Sequence, residues 1–216
     1  RDQCAGQDAA GDFVAGRGRG DDLAPRAPWR RIDLLSAAQT IAGPRVAALG
    51  WGNVTRGDDA LGPLLMARVE REAWAHVTTV EDFQLQIEHA LDLDGHDLAV
   101  FVDAGEGTPA PFAFMEIEAR RGMTHSSHGL PPEAVLDVFR QVRGRAPPPA
   151  FVLCVRGESF DLREGLSEAA SARLEEAWAF LRPLLAAPSL AAWRAARTQG
   201  AAAPERIGTG DVDHVS

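Results

Sequence analysis

Leu98-Ala99-Val100-Phe101-Val102 is apolar without a break and stops at Asp103. A strand with one face in water alternates apolar with polar residues. A run this continuous has the look of a strand buried on both faces, as strands of a parallel sheet are beneath their crossover helices. Val46-Ala47-Ala48-Leu49 and Phe151-Val152-Leu153-Cys154-Val155 repeat the pattern. The intervening segments carry helical spacing: Leu61, Leu65, Val69 and Ala73 in one, Val135, Leu136, Phe139 and Val142 in another. The chain is therefore predicted to be α/β, a three-layer sandwich with a mostly parallel twisted sheet of about five strands and helices on both faces.

The remaining elements fill in that frame. Val77–Glu81 reads as a short strand, and Gln84–Leu93 as a helix with Leu85, Ile87, Ala90 and Leu91 as its apolar residues. Pro111–Glu118 alternates and fits an edge strand. Pro131-Pro132-Glu133 opens a helix that Pro147-Pro148-Pro149 breaks. Ser167 is placed to N-cap a long helix reaching about Leu185. Residues 1–43 and 188–216 lack apolar periodicity and are expected to be disordered tails around a domain of 44–187. The chain opens at Arg1 rather than a methionine, which fits a fragment or an over-extended start.

Composition narrows the function classes. The formal charge over 216 residues is −9, with 22 arginines and no lysine. No arginine cluster is dense enough for a nucleic-acid face. Cys4 and Cys154 are too far apart in sequence to read as a disulfide framework, and Cys154 lies inside an apolar run where an inert thiol is expected. No stretch approaches the roughly 18 apolar residues of a membrane span, and no signal peptide opens the chain. A cytoplasmic monomer that binds neither nucleic acid nor membrane is expected.

The chemistry gathers at Gly50-Trp51-Gly52-Asn53-Val54-Thr55-Arg56-Gly57-Asp58-Asp59-Ala60-Leu61-Gly62, a glycine-rich turn between a strand and a helix. A phosphate site is the first thought. It fails because Thr55 takes the third glycine position of the dinucleotide fingerprint, and because Asp58 and Asp59 already occupy the helix N-terminus where an anion would sit. Carboxylates at the mouth of a turn suit a cation, the alternative being a plain helix cap. Sites in parallel sheets form at the C-terminal strand ends. Asp59 follows the first strand, Asp103 ends another, and the polar loop with His125 and His128 precedes a helix that could fold over the same crevice. Two carboxylates and an imidazole make a plausible ligand set for a divalent metal. Ser126, Ser127 and Ser159 lack a nucleophile elbow. Asp82, Glu106 and Glu158 are further candidates for acid or base, with nothing in the sequence to separate them.

In order, Gly50-x-Gly52-Asn53, Asp58-Asp59-x-x-Gly62, Val102-Asp103-Ala104, Ser127-His128 and Gly165-Leu166-Ser167 resemble the hydrogenase maturation proteases. These endopeptidases trim the C-terminus of the nickel–iron hydrogenase large subunit after nickel insertion. The resemblance runs from about Arg45 to Leu185. It implies that Asp59, Asp103 and His128 are the catalytic and metal-recognising residues, that the nickel arrives with the large-subunit precursor, and that no resident organic cofactor is needed. The chain departs from the family in two places. Asp59 stands where Glu is common, and the usual Asp-Gly-Gly-Thr reads Glu81-Asp82-Phe83-Gln84-Leu85, which implies a subgroup with its own cognate hydrogenase. A nickel carrier or sensor without cleavage activity is the rival reading of the same ligands.

Overall fold

The computed structural model describes residues 43–121, 129–162 and 165–198. Its elements in chain order are β1 (Val46–Trp51), α1 (Leu61–Glu72), β2 (Val77–Asp82), β3 (Leu98–Gly105), β4 (Phe112–Ile117), α2 (Pro132–Arg143), β5 (Ala150–Arg156), α3 (Glu168–Ala186) and α4 (Leu190–Ala195). Two 3-10 segments, Gly57–Ala60 and Ile87–Leu93, join them. The sheet order is β2-β1-β3-β5-β4. All pairs are parallel except β4 with β5, so the antiparallel strand lies at one edge.

The unbroken apolar runs are explained by two cores, one on each face of the sheet. Val46, Ala48, Val100, Val102, Phe151, Leu153 and Val155 pack against α1, α3 and Trp193 of α4. Ala47, Leu49, Trp51, Ala99, Phe101, Val152 and Cys154 pack against α2 and the 3-10 segment at 87–93. Successive residues of one strand thus serve opposite layers. The three-layer α/β reading holds.

Three details differ from expectation. Residues 87–93 coil as a 3-10 helix, and its repeat of about three residues turns Ala90 and Leu93 inward but leaves Ile87 and Leu91 about half exposed. Val142, assigned to the core face of its helix, is exposed near the end of α2. The third difference corrects the tail expected from residue 188 onward. Ser189 caps α4 by accepting from the Ala192 N–H, and Trp193 is fully buried, its ring 5.3 Å from Phe151 and 6.2 Å from Phe114. Thr198 then donates its N–H to the carbonyl of Phe114 on the open edge of β4. Apart from Trp193 this segment is Ala- and Arg-rich, so its docking leaves no periodic signature. The other residues of the two expected tails, 1–42 and 199–216, lie outside the described residues.

Candidate active site

From β1 the chain steps to β2 on one side and then crosses to β3 on the other. The loops leaving β1 and β3 diverge there, and the gap between them is the crevice that open parallel sheets use for ligands. Asp59 lies past the end of β1, and Asp103 is near the C-terminal end of β3. The register makes the alignment tighter still. Asp82 pairs with Trp51, Gly50 with Val102, and Asp103 with Cys154, so Asp82, Trp51, Asp103 and Cys154 form one row across four strands.

The glycines of the motif allow α1 to sit on the strand ends. A Cβ on Gly62 would lie 2.4 Å from the Trp51 carbonyl and 3.0 Å from that of Val102. On Gly50 it would meet Met66 at 2.4 Å. On Gly52, whose φ of +145° already favours glycine, it would lie 2.0 Å from the Asp59 carbonyl. The spacing of these glycines is thus set by steric contact with one helix start.

The adjacent aspartates part company. Asp58 is fully buried, and its carboxylate accepts from the Glu158 N–H (2.7 Å), the Ser159 N–H (3.0 Å), the Ser167 N–H (2.7 Å) and the Ser167 hydroxyl (2.8 Å). Its own N–H donates to the Ser159 carbonyl at 2.8 Å. Burial pushes its carboxyl up, but the hydrogen bonds from Ser167, Glu158 and Ser159 outweigh that and hold it below the usual range. Asp58 is therefore a clamp between the β1–α1 and β5–α3 loops. Ser167, which also accepts from the Ala170 N–H as cap of α3, is the far jaw.

Asp59 is half-buried and accepts the Asn53 N–H at 2.8 Å. Asn53 in turn receives the N–H and hydroxyl of Thr55, closing the loop on itself. The 3-10 segment carrying Asp59 packs on β3, which also carries Asp103. Asp103 is buried on the α2 face of the sheet and accepts the Ala104 N–H at 2.9 Å. His128 and His125 lie outside the described residues. The loop that holds them ends where Leu130 donates its N–H to the Leu85 carbonyl, just past β2. Among the described residues no three His, Cys, Asp or Glu side chains gather closely enough to hold a metal.

The structure also sorts the other candidates. Arg173 and Arg156 bond the Glu158 carboxylate and hold its carboxyl below the usual range, so it sits as an ion pair. Glu106 is exposed beyond β3. Cys154 is buried with its sulfur 3.0 Å from the Thr108 hydroxyl. Asp82 stands apart, because the buried His89 directs its Nε2 at the Asp82 carboxylate, 3.3 Å away. The sequence analysis missed that pairing; the signal was an imidazole seven residues past a strand-end Asp, hidden by reading 84–93 as an ordinary amphipathic helix.

A comparison with protein-family models finds no match, and neither does one with the curated proteins. Solved structures do match. The hydrogenase maturating endopeptidase HybD from E. coli superimposes with a TM-score of 0.54 at 22% identity, over 66% of this chain and 93% of that one. The [NiFe] hydrogenase maturation protease HycI from Thermococcus kodakarensis KOD1 gives 0.52 at 25% identity, over 67% and 94%. HybD from Thermococcus kodakarensis gives 0.52 at 19%, over 65% and 98%. Nearly the whole of each of these proteins is matched, by two thirds of this chain. The domain of this chain has the fold of the hydrogenase maturation proteases, the family its ordered motifs resemble.

Proposed function

We propose that this chain is an endopeptidase that removes the C-terminal extension of a nickel-loaded nickel–iron hydrogenase large-subunit precursor. The observation that carries the reading is the placement of Asp59 and Asp103 on the two sides of the β1/β3 switch point, with Asp58 taken up by the clamp. One carboxylate of the adjacent pair is taken up structurally, which leaves the other, Asp59, for the substrate. With His128 from the loop before α2, the two carboxylates engage the nickel that the substrate carries. Such a donor set fills about half an octahedral shell and leaves the rest to the substrate's own ligands and water. The metal on the substrate then polarises the scissile carbonyl or a water beside it.

The test mixes the protein with purified nickel-loaded precursor and follows the large subunit by mass spectrometry. A shortened large subunit and a released C-terminal peptide are expected, with the nickel-free precursor left whole. Nickel binding with no shortening under any loading would instead favour a carrier or sensor.

A further inference from the structure

Besides the metal-recognising residues, peptide hydrolysis needs a group that moves a proton between water and the leaving amine. Asp82 is the last residue of β2, in the same row as Trp51 and Asp103. Its position in that row turns it to the face that holds Trp51 and Phe101, the face on which Asp103 also lies. Strand spacing of about 4.8 Å sets β2 and β3 about 10 Å apart across β1. A second link joins Asp82 to Asp59. Gly52 donates its N–H to the Asp82 carbonyl, and the next residue, Asn53, donates its N–H to the Asp59 carboxylate. Two consecutive amides thus tie both aspartates to one turn.

The Asp82 carboxylate is held but not used up. Oδ1 accepts the Phe83 N–H at 2.6 Å, and Oδ2 faces His89 Nε2 at 3.3 Å. His89 Nδ1 accepts the Gln86 N–H at 2.8 Å, which leaves the ring proton of the neutral imidazole on Nε2, aimed at Asp82. An ionised carboxylate offers about four acceptor positions, and the Asp82 side chain is 37% exposed. Its remaining positions are open to water. His89 is buried with both nitrogens occupied, so it orients the carboxylate and does not reach substrate.

We infer that Asp82 is the proton-transfer carboxylate of this site and that His89 is its positioning residue. The inference rests on the processing reading above. Asp82 takes a proton from water as the water oxygen bonds to the scissile carbonyl carbon. That proton passes to the amide nitrogen as the C–N bond breaks, which leaves a new C-terminal carboxyl on the large subunit, a free amine on the peptide and Asp82 ionised again. Asp82 falls in the stretch Glu81–Leu85, where the chain departs from the family pattern, and His89 follows four residues after it, so the device belongs to this chain's own version of the site.

The experiment compares cleavage of nickel-loaded precursor by wild type, Asp82→Asn, Asp82→Ala and His89→Gln, with thermal unfolding run on each. Asp82→Asn should lower kcat about 100-fold or more, the usual share of a general base, with KM unchanged. Added formate should restore part of the activity of Asp82→Ala, which a merely structural carboxylate would not do. His89→Gln should lower kcat with KM held, by less than Asp82→Asn. If one Asp82 variant fails to fold, the other decides. A folded Asp82→Asn with wild-type kcat, or Asp82→Ala deaf to formate, overturns this assignment while wild-type cleavage leaves the processing reading standing. A wild-type protein that leaves the precursor whole overturns both.

Discussion

At Asp58 four donors converge on one buried carboxylate, whereas the half-buried carboxylate of Asp59 accepts the Asn53 N–H of its own loop, and the same substitution should affect the two in opposite ways. Asp58→Asn places an amide N–H against backbone N–H groups and should cost about 2–4 kcal/mol of stability, read by denaturant unfolding. Because the Asp58 carboxyl lies below its ordinary range in the folded state, the ionised form favours folding above the unfolded-state value near 4. That contribution disappears as pH falls through the folded value. The gap between wild type and Asp58→Asn should therefore be full at neutral pH and narrow in acid; a gap that widens in acid would mean the clamp is not ionic. Asp59→Asn should instead abolish cleavage with little change in unfolding, and Asp59→Glu should keep it. For the loop histidines, His128→Ala should stop processing and His125→Ala should only weaken it; the reverse would move the ligand by three residues. The spacing after Gly50 and Gly52 marked this pair of aspartates in the sequence. It could not say which was structural, because the partners that decide it, Glu158, Ser159 and Ser167, lie about a hundred positions away.

Among the elements, those with two buried faces were legible in sequence and those that dock by a single residue were not. β1, β3 and β5 announce themselves because every position except those at the ends of β3 and β5 is covered by one helix layer or the other. The 3-10 segment at 87–93 has about the same apolar content as a helix of its length, and the Gln86/His89 capping box at its start is one that an α-helix would also use, so its tighter winding left no mark in the sequence. α4 depends on Trp193, whose indole N–H donates to the Leu184 carbonyl and whose ring closes the aromatic cluster over β4 and β5. A chain ending at Pro188 should thus lose about 3–5 kcal/mol, the range for removing a buried Trp, while one ending at Thr198 keeps its stability. Equal melting of the two would show that α4 packs without contributing. Cys154→Ala should cost roughly 1 kcal/mol as a small core truncation and leave cleavage intact. Loss of cleavage in a folded variant would give the thiol a chemical role.

On the scale of the molecule, the order β2-β1-β3-β5-β4 sets the chemistry, because it alone decides which loops face each other across the crevice. Alternating apolar runs and helical spacings gave the α/β class. They contain nothing about strand order, since each strand is equally covered wherever it sits among the inner positions. If the site reads a metal that arrives with the substrate, the protein should purify largely metal-free. It should also keep its activity on pre-loaded precursor in the presence of chelator, which elemental analysis and the cleavage assay would check together. Rapid cleavage of nickel-free precursor would end the gating idea and leave the peptidase. Finally, the clamp joins Asp58 to Ser167 across 109 positions of chain. A polypeptide still emerging from the ribosome has Asp59 early but lacks the fixture that aims it until the start of α3 has been made. The two loops therefore cannot be joined until all five strands of the described sheet have been made, and the turn after β1, though synthesised early, is fastened late.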